Sequence, residues 1–190
     1  MIRRRKPQVI FLSETLAPAG RVDTLKLQIG FVGGLEVPAT EEQRGVMMLW
    51  TTGIQITHRL SGPRFIDVFI QGAVMGEFRF TGIYGVANRE LRWMTWELLR
   101  SLGEAVLNQD KWLLMGDFNG ILHQQEKRGG LPYPDQLISS FQDTVRDIRV
   151  ADVPLQGYRY TWTSGSEPET RMEVQLDQAL ILPTLKMEWP

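Results

Sequence analysis

The stretch Trp112-Leu113-Leu114-Met115-Gly116-Asp117-Phe118-Asn119 decides how the rest of this chain is read. Its first four residues are an apolar run that predicts a buried strand of a parallel or mixed sheet. The acid and the amide that follow fall just past the strand's C-terminal end, where α/β sheets keep their ligands. Gly116 allows close approach of the backbone, and Phe118 can anchor the loop from below. Asp117 supplies charge for a hard cation or a water, and Asn119 can bind a phosphate oxygen from the same loop without adding repulsion. Taken alone, the four letters from Gly116 to Asn119 read at least as well as a turn or helix cap.

A chain of 190 residues suits one domain with one core, which would bury about 70% of its unfolded surface. The expectation is a single domain over residues 1–190. No cysteine is present, which excludes disulfides, thiolate catalysis and cysteine zinc sites, and suits a reducing interior. Arg3-Arg4-Arg5-Lys6 followed by Val9-Ile10-Phe11-Leu12 has too short an apolar core for a secretory signal, and Ser13-Glu14 interrupts it. A nuclear or cytoplasmic location is expected, without secretion, and no run reaches the length that crosses a membrane. The formal net charge of −1 gives no overall attraction to nucleic acid. The basic cluster from Arg3 to Lys6 is a local candidate for such contact, with a solvated tail as the stronger reading.

Along the chain, Gln8 to Ser13 reads as a short buried strand ending at Glu14. From Ala17 to Gly45 the composition loosens, and one short helix or strand is expected there. Val46 to Trp50, Ile54 to Leu60, Arg64 to Ile70 and Glu77 to Ile83 read as strands of an antiparallel meander. Ile54, Ile56, His58 and Leu60 would share one face, making His58 a half-buried strand residue. Asn88 can cap a helix from Arg89 to about Leu107 with Trp93, Trp96, Leu99, Arg100, Leu102 and Val106 as its stripe. Asp135 can cap another with Ile138, Phe141, Val145 and Ile148 on one face. Tyr158 to Trp162 and Met172 to Ile181 close the series as strands. Strands interleaved with two amphipathic helices indicate an α/β (or α+β) chain of two sheets with helices outside them.

Ser13-Glu14-Thr15, Gly82-Ile83-Tyr84-Gly85, Gly116-Asp117-Phe118-Asn119, Tyr160-Thr161-Trp162 and Leu176-Asp177 occur in the order and spacing of a known family. By these five motifs the chain resembles the endonuclease/exonuclease/phosphatase superfamily over nearly its whole length. More narrowly, Trp112 to Asn119 with Glu126-Lys127-Arg128-Gly129-Gly130 and Gly157 to Trp162 is similar to the endonuclease domain of plant LINE-type (non-LTR) retrotransposons. The resemblance implies a DNase I-like, four-layer sandwich of two mixed β-sheets flanked by helices. It also implies hydrolysis of phosphodiesters with Mg2+ or Mn2+, and DNA as partner. Carried over by motif, Glu14 and Asp117 would be metal ligands, and Asp117 would also orient or deprotonate the attacking water. Asn119 and Tyr84 would hold the scissile phosphate, Asp177 would orient a catalytic histidine, and Thr161 and Trp162 would lie near the DNA.

Each position has a plainer reading: Glu14 a solvated strand end, Tyr84 a packed aromatic, Trp162 core, Asp177 a surface acid, Glu126-Lys127 a solvated pair in a turn. The family often has an arginine where Gln178 stands. Its usual first strand, with an asparagine near the metal, and its last, preceded by Ser-Asp-His, have no counterpart among these residues. Neither His58 nor His123 matches the family's histidine. The expectation from this pattern is a copy truncated at both ends, with impaired or absent nuclease activity. Two other functions compete: a phosphatase or phospholipid phosphodiesterase on the same fold, and a non-catalytic nucleic-acid- or protein-binding remnant. Oligomeric state is not legible.

Overall fold

Behind the basic cluster, the apolar run takes the extended form expected of it in the computed structural model, as β1 (Val9–Ser13). The structure describes residues 6–72, 76–106, 111–154, 157–167 and 169–183, so Leu107 lies outside the described residues. The chain forms two units: one takes the residues up to Tyr84 and the segment 111–116, the other the segment from Gly85 and that from Asp117 onward.

In the first unit, β1 is followed by α1 (Arg21–Ile29), β2 (Gly33–Val37) and β3 (Val46–Trp50). The loose segment thus holds both a helix and a strand. Its composition hid the helix because the residue ahead of α1, Gly20, has no side chain to cap it. A distant carboxylate does so instead: Glu36 accepts from the amides of Gly20 and, at 2.9 Å, Val22. β3 is the centre of a three-stranded sheet, antiparallel to β1 and β2. Met47 and Leu49 pack under α1 with Val22 and Phe31. Val46 and Met48 take the other face by alternation and are also fully buried.

That other face meets a second sheet of the same unit, ordered β4 (Gln55–Gly62), β5 (Phe65–Gly72), β6 (Gly76–Tyr84) and β7 (Trp112–Asp117). Phe11 of β1 meets Phe80 of β6 edge to face, and Gly82 of β6 leaves the room that Phe11 occupies. The meander therefore contains β4, β5 and β6, each pair antiparallel, and not β3. A strand apolar on both faces needs cover on both, which a central strand between α1 and the second sheet receives. β4 corrects a second expectation. A register shift between His58 and Leu60 breaks the two-residue period, and both side chains are exposed, His58 bonding Ser61. The bulge also blunts the edge of the sheet.

On the face of the second sheet turned away from the first lies a buried ionic cluster that the alternation pattern gave no hint of. Asp67 on β5 accepts from Arg79 Nε at 2.9 Å and Nη2 at 3.0 Å, from the Thr81 hydroxyl at 2.7 Å, and from Arg59. The Arg79 guanidinium lies 4.5 Å from the centre of the Trp112 ring, whose Nε1 donates to Thr81 Oγ1 at 2.8 Å. β5, β6 and β7 are thereby tied through side chains as well as backbone.

In the second unit, Asn88 accepts from the amide of Glu90 and starts a 3-10 turn, Arg89–Leu91, before α2 (Trp93–Glu104). Thr95, Trp96, Leu99 and Leu102 are the buried stripe, and Trp93 is exposed rather than core. β8 (Lys127–Arg128), α3 (Asp135–Asp147) and β9 (Ala151–Asp152) follow, then β10 (Trp162–Ser164), β11 (Met172–Val174) and β12 (Asp177–Ile181). The expected strand at Tyr158 starts only at Trp162, and the expected Met172–Ile181 strand is interrupted at Gln175-Leu176. Trp96 stacks on Phe141 at 4.4 Å, and Phe118 lies 5.4 Å from the same ring, joining α2 and α3 to the loop after β7.

Glu126 and Lys127 are no solvated pair. Lys127 Nζ donates to the carbonyls of Gly129 and Leu131. Glu126 is buried and accepts from Leu122 N at 2.8 Å and Gln178 Nε2 at 3.1 Å. Gln178 stands where an arginine would have neutralised that carboxylate, and burial pushes the Glu126 carboxyl above its usual value of 4.5. An acid whose folded pKa is raised binds its proton more tightly in the folded state, so its contribution to stability is full below pH 4.5 and is lost as pH rises through the folded value. Urea unfolding of Glu126→Gln across pH is expected to match the parent in acid. It should then become the more stable protein as pH rises, by about 1.4 kcal/mol for each tenfold rise in proton affinity. An advantage confined to acid would contradict this.

Candidate active site

In the first unit, Glu14 leaves β1 in the left-handed region, with φ 49°, and Leu16 follows at φ 48°. Such values cost a non-glycine residue about 1–3 kcal/mol and persist only where neighbours enforce them. The neighbours are the carbonyls of Gly45 and Arg44, which accept from Thr15 N at 3.3 Å and Leu16 N at 2.9 Å. The turn leaves the Glu14 side chain exposed. Tyr84, the last residue of β6, is buried and donates its hydroxyl to Glu14 Oε1 at 2.6 Å. The Arg64 guanidinium lies 5.4 Å from the centre of the Tyr84 ring, and the Arg64 carbonyl accepts from Tyr84 N at 2.7 Å. Two residues named by separate motifs, 70 positions apart, are thus in direct contact.

The second unit contains the Asp117 loop. Asp117 Oδ1 accepts from Asn119 N at 2.7 Å, and Asn119 Nδ2 donates to Gly85 O at 2.9 Å. Asn119 is buried with φ 52°, a conformation asparagine tolerates better than most residues. Asp117 itself stays half-buried. Phe118 is fully buried, anchoring the loop, and its amide donates to Leu176 O at 2.9 Å. Met115 is exposed, so the buried run ends at Leu114.

The later motifs are linked to each other in the same unit. Thr161 Oγ1 accepts from the amides of Leu176 and Asp177, both at 3.0 Å. Thr161 thus holds the backbone on which Asp177 stands. The Asp177 side chain is exposed at the start of β12, and among the described residues its carboxylate has no hydrogen-bond partner. Trp162 is partly exposed and pairs with Val174, a core residue. His123 is exposed ahead of the 3-10 turn Gln124–Glu126.

Sequence reasoning missed Arg92 and Tyr133. Arg92 is buried at the head of α2 and donates to Val86 O at 3.4 Å, to Ala87 O at 3.0 Å and to the Tyr133 hydroxyl. Tyr133 in turn donates to Asn119 O at 3.4 Å. Burial lowers the Arg92 pKa and raises that of Tyr133, while the negative charge of Asp117 favours the Arg92 cation. A signal was available: a cation at a helix N-terminus opposes the helix dipole, and so needs another reason to be there.

Among the described residues no group of three or more acidic or histidine side chains converges as a metal cage. An exposed carboxylate fixed by a tyrosine hydroxyl nevertheless suits magnesium, which keeps most of its waters and takes one or two carboxylates plus substrate phosphate.

Arg92→Met would leave the Val86 and Ala87 carbonyls and the Tyr133 hydroxyl without their donor, at a cost of about 3 kcal/mol. Tyr133→Phe should cost about 1 kcal/mol. Urea unfolding measures both, and hydrogen exchange of residues 117–122 should quicken in each variant. Unchanged exchange there would separate Arg92 from the Asp117 loop.

The sequence profile of the Endonuclease/Exonuclease/phosphatase family matches residues 1–181. Among solved structures, the chain is similar to the endonuclease domain of TRAS1, a telomere-specific non-LTR retrotransposon. That likeness has 11% identity and a TM-score of 0.68, over 96% of this chain and 76% of that one. It is also similar to a humanized D. rerio TDP2 carrying 14 mutations, at 15% identity and a TM-score of 0.62, over 95% of this chain and 72% of that one. A search of curated proteins gives no match. At these identities the likeness establishes the fold, which is α/β with mixed sheets and DNase I-like.

Proposed function

The chain belongs to the endonuclease/exonuclease/phosphatase family, and from that premise we propose that it hydrolyses phosphodiester bonds of DNA with Mg2+ or Mn2+, as a retrotransposon-type endonuclease domain. The observation that carries this is the hydrogen bond from Tyr84 to Glu14, which fixes an otherwise exposed carboxylate. Glu14 is the carboxylate that would hold the metal, and the metal when bound supplies positive charge to the phosphate and lowers the pKa of water. Tyr84 orients Glu14 and leaves its hydroxyl oxygen beside that charge. Asp117, whose Oδ1 accepts from Asn119 N, would orient the attacking water or take its proton. Asn119 Nδ2 spends one hydrogen on Gly85 O and has a second for a phosphate oxygen. Thr161 and Trp162 contact DNA beside Asp177.

His58 and His123 are the only histidines of the sequence, and neither stands at a motif position. Substrate DNA puts its work in the nucleus or cytoplasm, and no described helix is long and apolar enough to cross a membrane.

Nicking of supercoiled plasmid tests the proposal. Activity should require Mg2+, fall by about 100-fold or more in Asp117→Ala, and be unaffected by His58→Ala or His123→Ala. Tyr84→Phe should raise the Mg2+ concentration for half-maximal rate by about 10- to 100-fold. Hydrolysis of a small phosphomonoester without plasmid nicking would instead favour a phosphatase. No metal-dependent hydrolysis by the folded protein would leave a non-catalytic remnant.

A further inference from the structure

Arg128, Tyr158 and Arg171, which no catalytic role uses, converge on one buried carboxylate of the second unit. In the small sheet β10-β11-β8, Thr163, Glu173 and Arg128 lie opposite one another, as do Trp162, Val174 and Lys127. Opposite residues share a face, and Val174 belongs to the core cluster of Ile121, Tyr133 and Ile138. Glu173 and Arg128 are therefore on the outer face. Glu173 is nonetheless buried, because side chains close over it. Arg171 lies 2.8 Å from Glu173 Oε1 by Nη2, and its Nε donates to the same oxygen at 3.1 Å. The Tyr158 hydroxyl donates there too, and Arg128 Nη1 is 3.8 Å from Oε2.

One carboxylate thus holds two guanidiniums and leaves net positive charge at the surface. The Arg128 and Arg171 side chains are 73% and 54% exposed, and Tyr158 is 69% exposed. With Gly129, Ser166 and Glu173 they line a cavity of 560 Å³. Guanidiniums select an anion, and an uncovered tyrosine ring is a stacking face. Bare phosphate would use the arginines and leave the ring idle. Duplex DNA presents phosphates but keeps its base faces stacked, whereas an unpaired nucleotide offers both. We infer that this cavity binds an unpaired nucleotide of a nucleic-acid strand, its phosphate on Arg128 and Arg171 and its base on Tyr158. The site rests on the nucleic-acid function proposed above, but its occupancy needs no hydrolysis.

Fluorescence anisotropy of a labelled oligothymidylate, with metal chelated, separates the two. The parent protein and Asp117→Ala should bind it alike and more tightly than a duplex of matched length. Tyr158→Ala should weaken binding by about 10-fold with an unchanged salt slope. The Arg128→Ala/Arg171→Ala variant should weaken it and reduce the slope of log affinity against log salt by about 1.4. Arg128 is loosely paired, so Arg128→Glu keeps the fold if the double variant does not, and it should weaken binding by about 10-fold or more. The control Arg146→Ala, on α3, should have no such effect. Equal affinity for single strand and duplex would overturn the inference, as would undiminished binding by Tyr158→Ala and Arg128→Glu. Plasmid nicking could fail while these losses are observed, or succeed without them, so each proposal stands or falls separately.

Discussion

Close approach of backbone at two glycines is the constraint from which the candidate site follows. In the first unit, Gly116 has φ 145° and lies so near Ile83 that a Cβ would stand 2.0 Å from the Ile83 carbonyl oxygen. In the second, a Cβ on Gly85 would stand 2.3 Å from the carbonyl oxygen of Phe118, while Gly85 N donates to Asp117 O at 2.6 Å. No side chain fits at either place. These glycines immediately follow Tyr84 and precede Asp117, so the same steric requirement fixes where both candidate side chains leave the backbone.

Rigid surroundings allow the strained conformations to persist. Glu14 and Asn119 both have positive φ, and each is over-determined by hydrogen bonds from a distant segment. The Asp67–Arg79–Thr81–Trp112 cluster does the corresponding work within the second sheet of the first unit, fixing β6, which ends at Tyr84, to β7. Replacing one member would leave a buried charge or donor unpaired, which costs more than the pair contributes. In the second unit Arg92 holds the carbonyls of Val86 and Ala87, and Tyr133 holds that of Asn119. Strain at the candidate site residues is thus offset by polar networks behind them.

Much of this was legible in the sequence, and for physical reasons. β3 begins and ends at the residues the apolar run predicted, because a strand buried on both faces leaves no polar residue to blur its limits. α3 was visible because Ile138 and Phe141 repeat at helical spacing, and the Asp117 loop because glycine, acid and amide follow a buried strand. What could not be read depends on partners far away in the chain. Glu36 caps a helix 15 residues before it, Glu126 is buried against Gln178, and Glu173 gathers two arginines and a tyrosine. Local composition makes each of these acids look solvated. His58 failed for the opposite reason: alternation predicted its face, and a one-residue bulge removed the alternation.

We propose that Glu14, held by Tyr84, is where the protein carries its catalytic charge. Crystals grown with Mn2+ and measured at the manganese absorption edge test it without reference to any substrate. An anomalous peak within coordination distance of the Glu14 carboxylate, absent in Glu14→Gln and weakened in Tyr84→Phe, is the predicted result. A peak that survives Glu14→Gln, or manganese bound elsewhere with none at Glu14, would overturn that assignment.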